Sequence, residues 1–354
     1  CYDMMKKWVE YQNSTDRRNY GVRTVDGKEV PEQSDLATIP YIQVQQCRGD
    51  HLTYDNSTPY IYSATAYAAH SADILRRTAY ILGKTDDEKR YTELFENIKR
   101  AFNDAWVNDD GSVSYYGEVS SQTAHCGESV ALDGSVTRYT YYAENTPHCP
   151  SQTAYALAVD FDLIPKDKLK NTRKYFKNSI LRNNGKLTVG FLGISHLAPA
   201  LSKVGLDDVA FKLLEQEDNP SWLYSVKNGA TTIWERWNSY IAETGTFGDV
   251  SMNSFNHYSY GAIGQWFFTD ILGICPVEFG YKSFMLSPKF GGGLTYAKGS
   301  FTSPYGKISS AWKLHDGKFT YDCTVPTNTT ATLKLPNGDI HTLVGGSYHF
   351  EIDV

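Results

Sequence analysis

The hydrophobic period of this chain changes once, near Pro276, from about 3.6 residues to about two. A helix buries every third or fourth side chain and a strand every second, so the two stretches demand different elements. Ahead of the change, "SATAYAAHSADILRRTAYILG" sets Ala64, Ala68, Ser71, Ala72, Leu75, Ala79 and Leu82 on one face. That spacing predicts a helix closed by Gly83. Thr85 and Glu88 then stand at capping-box spacing, before a second stripe through Tyr91, Leu94, Phe95, Ile98, Phe102 and Trp106. Residues 108–147 are rich in Gly, Ser and Thr and read as loop. Helical spacing returns in "SQTAYALAVDFDLI", "DKLKNTRKYFKNSIL", "SHLAPALSKVG", "DDVAFKLLEQ" and "HYSYGAIGQWFFTDILGI". Helices joined by short turns predict stacked helical hairpins, and the lack of a fixed repeat length favours a toroid over a solenoid. The opening "CYDMMKKWVEYQ", with Met4, Trp8 and Tyr11 on one face, reads like the middle of a longer chain.

Beyond Pro276, "KISSAWKLHDGKFTYDCTV" alternates through Ile308, Ser310, Trp312 and Leu314, turns at Asp316-Gly317, and alternates again. A second hairpin turns at Asn337-Gly338. The expected organisation is mainly α followed by β: a helical barrel over 1–276 and a β-sandwich over 277–354.

Composition narrows the functions open to such a chain. A net charge of −6, from 34 basic and 40 acidic residues without a basic cluster, opposes a nucleic-acid partner. No apolar run reaches the ~18 residues of a membrane span. Six scattered cysteines without CxxC spacing, and histidines without ligand spacing, leave no expected metal or cofactor. Cys126 and Cys149 would close a plausible disulfide loop, with free thiols the other option. Localisation stays open, with a secreted or periplasmic place favoured over a cytoplasmic one. Aromatic residues make up 14%, with 26 Tyr and 7 Trp, which suits either sugar stacking or a large helical core.

The densest local chemistry lies in "NGATTIWERW", where Glu235 and Arg236 sit between Trp234 and Trp237. The indoles desolvate the carboxylate, and the neighbouring guanidinium would keep it ionised, as a general base requires. A buried Glu–Arg pair bracing a loop would use the same residues. His257, in "NSFNHYSYGA", suits a donor to a hydroxyl or a helix cap, although Asn253 and Ser254 already supply cap types. "GGGLTY" at 291–296 opens no helix and offers no phosphate cradle.

In order, "KLTVGFLGISHLAPALSKVG", "NPSWLYSVKNGATTIWERW", "MNSFNHYSYGAIGQWFF" and "GGGLTYAKGSF" resemble glycoside hydrolase family 78, the α-L-rhamnosidases, most specifically over 186–306. The resemblance implies an (α/α)6 barrel followed by a C-terminal β-sandwich. It implies an inverting hydrolase releasing terminal α-L-rhamnose from a carbohydrate partner. Glu235 would be the general base, and His257, Trp234, Trp237, Arg236 and Asn253 would lie in or beside the sugar pocket. Two departures stand out. The family's upstream acidic segment, of the kind RDERxGWxGD, which supplies the general acid, has no counterpart, so the barrel is expected to be incomplete at its N-terminus. Where the family has Gly-Asp-Trp-Leu, this chain has Gly49-Asp50-His51-Leu52, which puts His51 in the place of a pocket tryptophan. Asp50, Asp55 and Glu128 are the conceivable substitute acids. The alternative is an inactive, sugar-binding barrel fragment. Either way, an open barrel predicts self-association over its exposed side.

Overall fold

A computed structural model describes residues 1–14, 22–25, 28–31, 40–43, 49–54, 58–114, 127–130, 136–139 and 150–354. Its helical part is built from α1 (Tyr2–Gln12), α2 (Tyr60–Ile81), α3 (Thr85–Trp106), α4 (Gln152–Asp160), α5 (Leu169–Leu181), α6 (Phe191–Lys203), α7 (Asp207–Leu214) and α8 (Trp222–Lys227). Short ribbons interrupt it: β1 (Val22–Val25) with β2 (Lys28–Pro31), β3 (Gly127–Val130) with β4 (Val136–Tyr139), and β5 (Tyr240–Ile241) with β6 (Thr246–Phe247). α2 pairs with α3, α4 with α5, and α6 with α7, while α2, α4 and α6 lie side by side as an inner layer. α4 is buried along its whole length up to Val159, whereas α3 and α5 bury one stripe each, as expected of an inner helix between outer ones.

Local chemistry accounts for the end of α2 and the start of α3. Gly83 takes φ +67°, and the Lys84 amide reaches back to the Ala79 carbonyl at 2.9 Å, which closes α2 as its sequence suggests. The Thr85–Glu88 capping box does not form, because Lys84 is the residue that precedes the first turn and Thr85 is already helical. Asp86, Asp87 and Glu88 crowd that turn instead, where the helix end favours negative charge. Asp87 also receives Tyr2 Oη and Lys6 Nζ at 2.8 Å each, which docks α1. Docking through Val9, Leu75 and Tyr91 turns Met4, Trp8 and Tyr11 outward, at 69%, 53% and 48% exposed. The apolar stripe read from the sequence is thus the face left open.

The final helical run is not one α-helix. It passes from a 3₁₀ turn at Ser259–Ile263 through Gly264–Trp266 to a π turn at Phe267–Ile271. The carbonyls of Ile271 and Leu272, at its end, receive Trp312 Nε1 at 2.8 Å and Ser310 Oγ at 2.6 Å from the β part.

That part is a pair of four-stranded sheets. β7 (Ile274–Pro276), β8 (Ser283–Leu286), β12 (Thr330–Lys334) and β13 (Ile340–Leu343) form one sheet in the order β13-β12-β8-β7, with β8 and β12 parallel. β9 (Tyr296–Ser303), β10 (Gly306–His315), β11 (Lys318–Val325) and β14 (Gly346–Asp353) form the other, in the order β14-β11-β10-β9. The β10–β11 hairpin turns at Asp316 and Gly317, both at positive φ, as the two-residue turn requires. Trp312, Phe319, Tyr321 and Cys323 alternate into a core that continues into the helical part. β7 begins at Ile274, just ahead of Pro276. Cys126, Cys149 and Asp55 lie outside the described residues, and among those described Cys1, Cys275 and Cys323 are free thiols.

Candidate active site

Three chain segments converge at one end of the inner helix layer: the turn at 49–54, the start of α6, and the strap at 230–240 with the loop at 248–258. The first two are joined by Asp50. Its carboxylate, only 5% exposed, accepts from the amides of Gly190 at 2.8 Å, Leu192 at 2.8 Å and Gly193 at 2.9 Å, and from Thr153 Oγ1. Asp50 therefore caps α6 from another segment, the residue type and place a helix N-terminus favours. Burial pushes its carboxyl up, and those four donors pull it back. The acid role conceivable for Asp50 fails on this geometry, since both its oxygens are committed inside the fold. Gly190 is needed where the segments meet, because a Cβ there would stand 2.2 Å from the His51 carbonyl.

His51 follows directly, and its carbonyl accepts from the Phe191 amide at 2.9 Å. The Phe191 ring meets His51 edge-on at 5.4 Å and stacks on His257 at 4.9 Å and 22°. Tyr258 also stacks on His257, at 5.4 Å and 12°. Phe191 thus joins two histidines far apart in sequence, and its role was not foreseen. Nδ1 of His257 accepts from the Ser259 amide at 3.3 Å, which places the ring proton of the neutral tautomer on Nε2. His257 is consequently a fixed donor.

Glu235 is half-buried on the strap. Its amide donates to the Ser254 carbonyl at 2.8 Å, and its Oε2 accepts from the Ser254 amide at 2.7 Å. Oε1 receives no protein donor among the described residues. The carboxylate is therefore oriented by one oxygen and open at the other. The next turn of backbone, His257 N to Ile233 O at 2.8 Å, brings His257 alongside the same strap.

The remaining expected residues take other places. Arg236 does not pair with Glu235; its Nη2 meets Asp249 Oδ2 at 3.1 Å and its Nε the Met252 carbonyl at 2.9 Å. Hydrogen bonds from Ser251 hold the Asp249 carboxyl below its usual range, and Arg236 adds to that. Asn253 Nδ2 donates to the Ser239 carbonyl at 2.8 Å, so its amide ties loop to strap. Trp237 is a core residue, 2% exposed, stacked on Tyr260 at 3.8 Å, with Nε1 on the Val189 carbonyl at 3.0 Å. Trp234 is buried edge-on against Phe255 at 5.2 Å. Trp222, Trp234, Arg236 and Trp237 line a cleft of about 270 Å³ that Glu235 does not line. The strap thus divides the expected set: its indoles wall the cleft, while Glu235 turns to Ser254. Glu128 lies on β3, where the backbone alone is described.

Among the described residues there is no group of three metal-ligating side chains, and no helix is long and apolar enough to cross a membrane.

A family model described as the bacterial α-L-rhamnosidase six-hairpin glycosidase domain matches residues 1–271, and one for the bacterial α-L-rhamnosidase C-terminal domain matches 273–350. An α-L-rhamnosidase of Formosa agariphila is 33% identical over 344 residues, covering 97% of this chain and 32% of that protein. The structure of Streptomyces avermitilis α-L-rhamnosidase complexed with L-rhamnose is similar at a TM-score of 0.77 and 31% identity, over 99% of this chain and 30% of that one. Native α-L-rhamnosidase from Aspergillus terreus gives 0.75 and 28%, over 99% and 36%. The chain spans about a third of the length of that Formosa agariphila protein and of the α-L-rhamnosidase of Alteromonas sp. that it also matches. On both domain matches, and on a helical part followed by paired sheets, the chain belongs to the bacterial α-L-rhamnosidase family.

Proposed function

We propose that this chain carries the general-base side of an inverting glycosidase site that releases terminal α-L-rhamnose, with Glu235 as the base. The observation that carries this reading is the asymmetric carboxylate: Oε2 is held by the Ser254 amide, and Oε1 has no protein donor among the described residues. A water on Oε1 would lose its proton to Glu235 as it attacks the anomeric carbon from the face opposite the leaving group. His257 Nε2–H would donate to a sugar hydroxyl, and the ring pair Phe191 and Tyr258 would hold the imidazole to that task. Inversion also needs a proton donor about 6.5–9.5 Å from the base. Asp50 is excluded by its four donors, which leaves Asp55 and Glu128 of the acids considered in this chain. The helical part to 276 would be catalytic, and 277–354 a sandwich packed against its end.

The test is product stereochemistry. In the intact parent protein, proton NMR during hydrolysis of an aryl α-L-rhamnoside should show β-L-rhamnose first, before mutarotation. α-L-Rhamnose appearing first would reject inversion. Calorimetry on this chain separates the alternative: L-rhamnose binding with no turnover, even by the parent, would make it a sugar-binding barrel fragment.

A further inference from the structure

Glu235 is oriented by a loop that is itself held through one carboxylate. Asp249 Oδ1 accepts from the amide and hydroxyl of Ser251 at 2.8 and 2.7 Å, which closes the turn that opens the loop. Its other oxygen takes Arg236 Nη2, and the Nε of the same guanidinium takes the Met252 carbonyl, two residues before Ser254. On the opposite flank, Gly248 N and Asn253 Nδ2 both donate to the Ser239 carbonyl, at 3.2 and 2.8 Å. The Ser254 amide that holds Glu235 Oε2 thus comes from a short loop pinned at both ends.

A guanidinium that meets two acceptors in its own plane is fixed more rigidly than a single ion pair. Asp249 supplies one of those acceptors and the only negative charge paired with Arg236 among the described residues. Take that charge away and the guanidinium, adjacent in sequence to Glu235, has that carboxylate as its alternative. A guanidinium on Oε1 would occupy the lone pair that a water needs.

We propose that Asp249 is a positioning residue for Glu235: it keeps Arg236 on the loop, so that Ser254 holds Oε2 and Oε1 stays open. Its consequence for rate rests on the reading of Glu235 as base; the geometric part does not.

The Ser254 amide resonance reads the contact directly in this chain. In the unmodified protein it should carry the downfield position of an amide bound to a carboxylate, and Glu235→Gln should move it upfield. Asp249→Asn keeps an acceptor for the Ser251 turn and removes the charge, so it decides the matter should Asp249→Ala fail to fold. In Asp249→Asn the Ser254 amide resonance at neutral pH should move toward its position in Glu235→Gln, as Arg236 turns to Glu235 and the Oε2 contact loosens. A Ser254 resonance unchanged at neutral pH would overturn the proposal. In the intact parent, kcat on an aryl α-L-rhamnoside should drop about tenfold at constant KM. An unchanged kcat in an active parent would overturn it as well. Should Glu235→Gln leave turnover intact, the base assignment fails, and the amide measurement still decides the role of Asp249.

Discussion

Single residues here do work that their neighbours in sequence do not reveal. Glu235 and Arg236 read as a pair, yet each is bound to the loop opposite, one to Ser254 and the other to Asp249 and Met252. The strap bends at both residues and turns directly after them, so its hydrogen-bond partners, and not sequence adjacency, divide the set expected around Glu235. Asp50 shows the same limit. Its neighbours Gly49 and His51 suggest a pocket loop, and only the fold brings the start of α6 to it from 140 residues away. Asp50→Ala would strand three amides and the Thr153 hydroxyl, and should cost about 3 kcal/mol of stability, measured by chemical unfolding. A loss under about 1 kcal/mol would mean that water replaces the carboxylate.

At the scale of elements, periodicity was a sound guide wherever burial on one face decides the structure. α2 and α3 follow their stripes, and the β10–β11 hairpin follows its alternation to the Asp316-Gly317 turn. Where tertiary contacts set the backbone, periodicity misled. α8, at six residues, is too short to show a period, and the run after His257 trades α-geometry for wider turns where it meets the sandwich. The inner layer also carries chemistry with no sequence signal. His196 donates from Nδ1 to Asp160 at 2.6 Å, Tyr67 lies 3.2 Å from its Nε2, and His70 stacks on Phe161 at 4.0 Å beside them. Burial first, and then His196 and Arg77, hold His70 below its ordinary pKa, against the pull of Asp73 and Asp160. A histidine depressed in the folded state contributes stability that is present above its unfolded value and lost as pH falls below about 6.5. Melting temperature should therefore decline from pH 7.5 to 5.5, and His70→Gln should flatten that decline. An equal decline in the variant would assign it to other groups.

For the molecule as a whole, the helical and sheet parts share one core, with the Trp312 and Ser310 bonds sealed into it and Lys289 bridging Asp207 at 2.8 Å and Asp270 at 3.0 Å. Trp312→Ala should cost about 3–5 kcal/mol and shift a single calorimetric transition; two separate transitions would show that the parts unfold independently. α1 turns Met4, Trp8 and Tyr11 to solvent. Light scattering on this chain should detect self-association that Trp8→Glu weakens, and a monodisperse monomer would contradict it. Everything proposed about activity converges on one carboxylate with one oxygen held and one free. The decisive measurement is the initial rate of aryl α-L-rhamnoside hydrolysis by the intact parent and its Glu235→Gln variant. The variant should lose roughly 10²–10⁴ in kcat while staying folded, the range expected for a positioned base. A variant that hydrolyses the substrate at the parent's rate would leave Glu235 a brace between strap and loop.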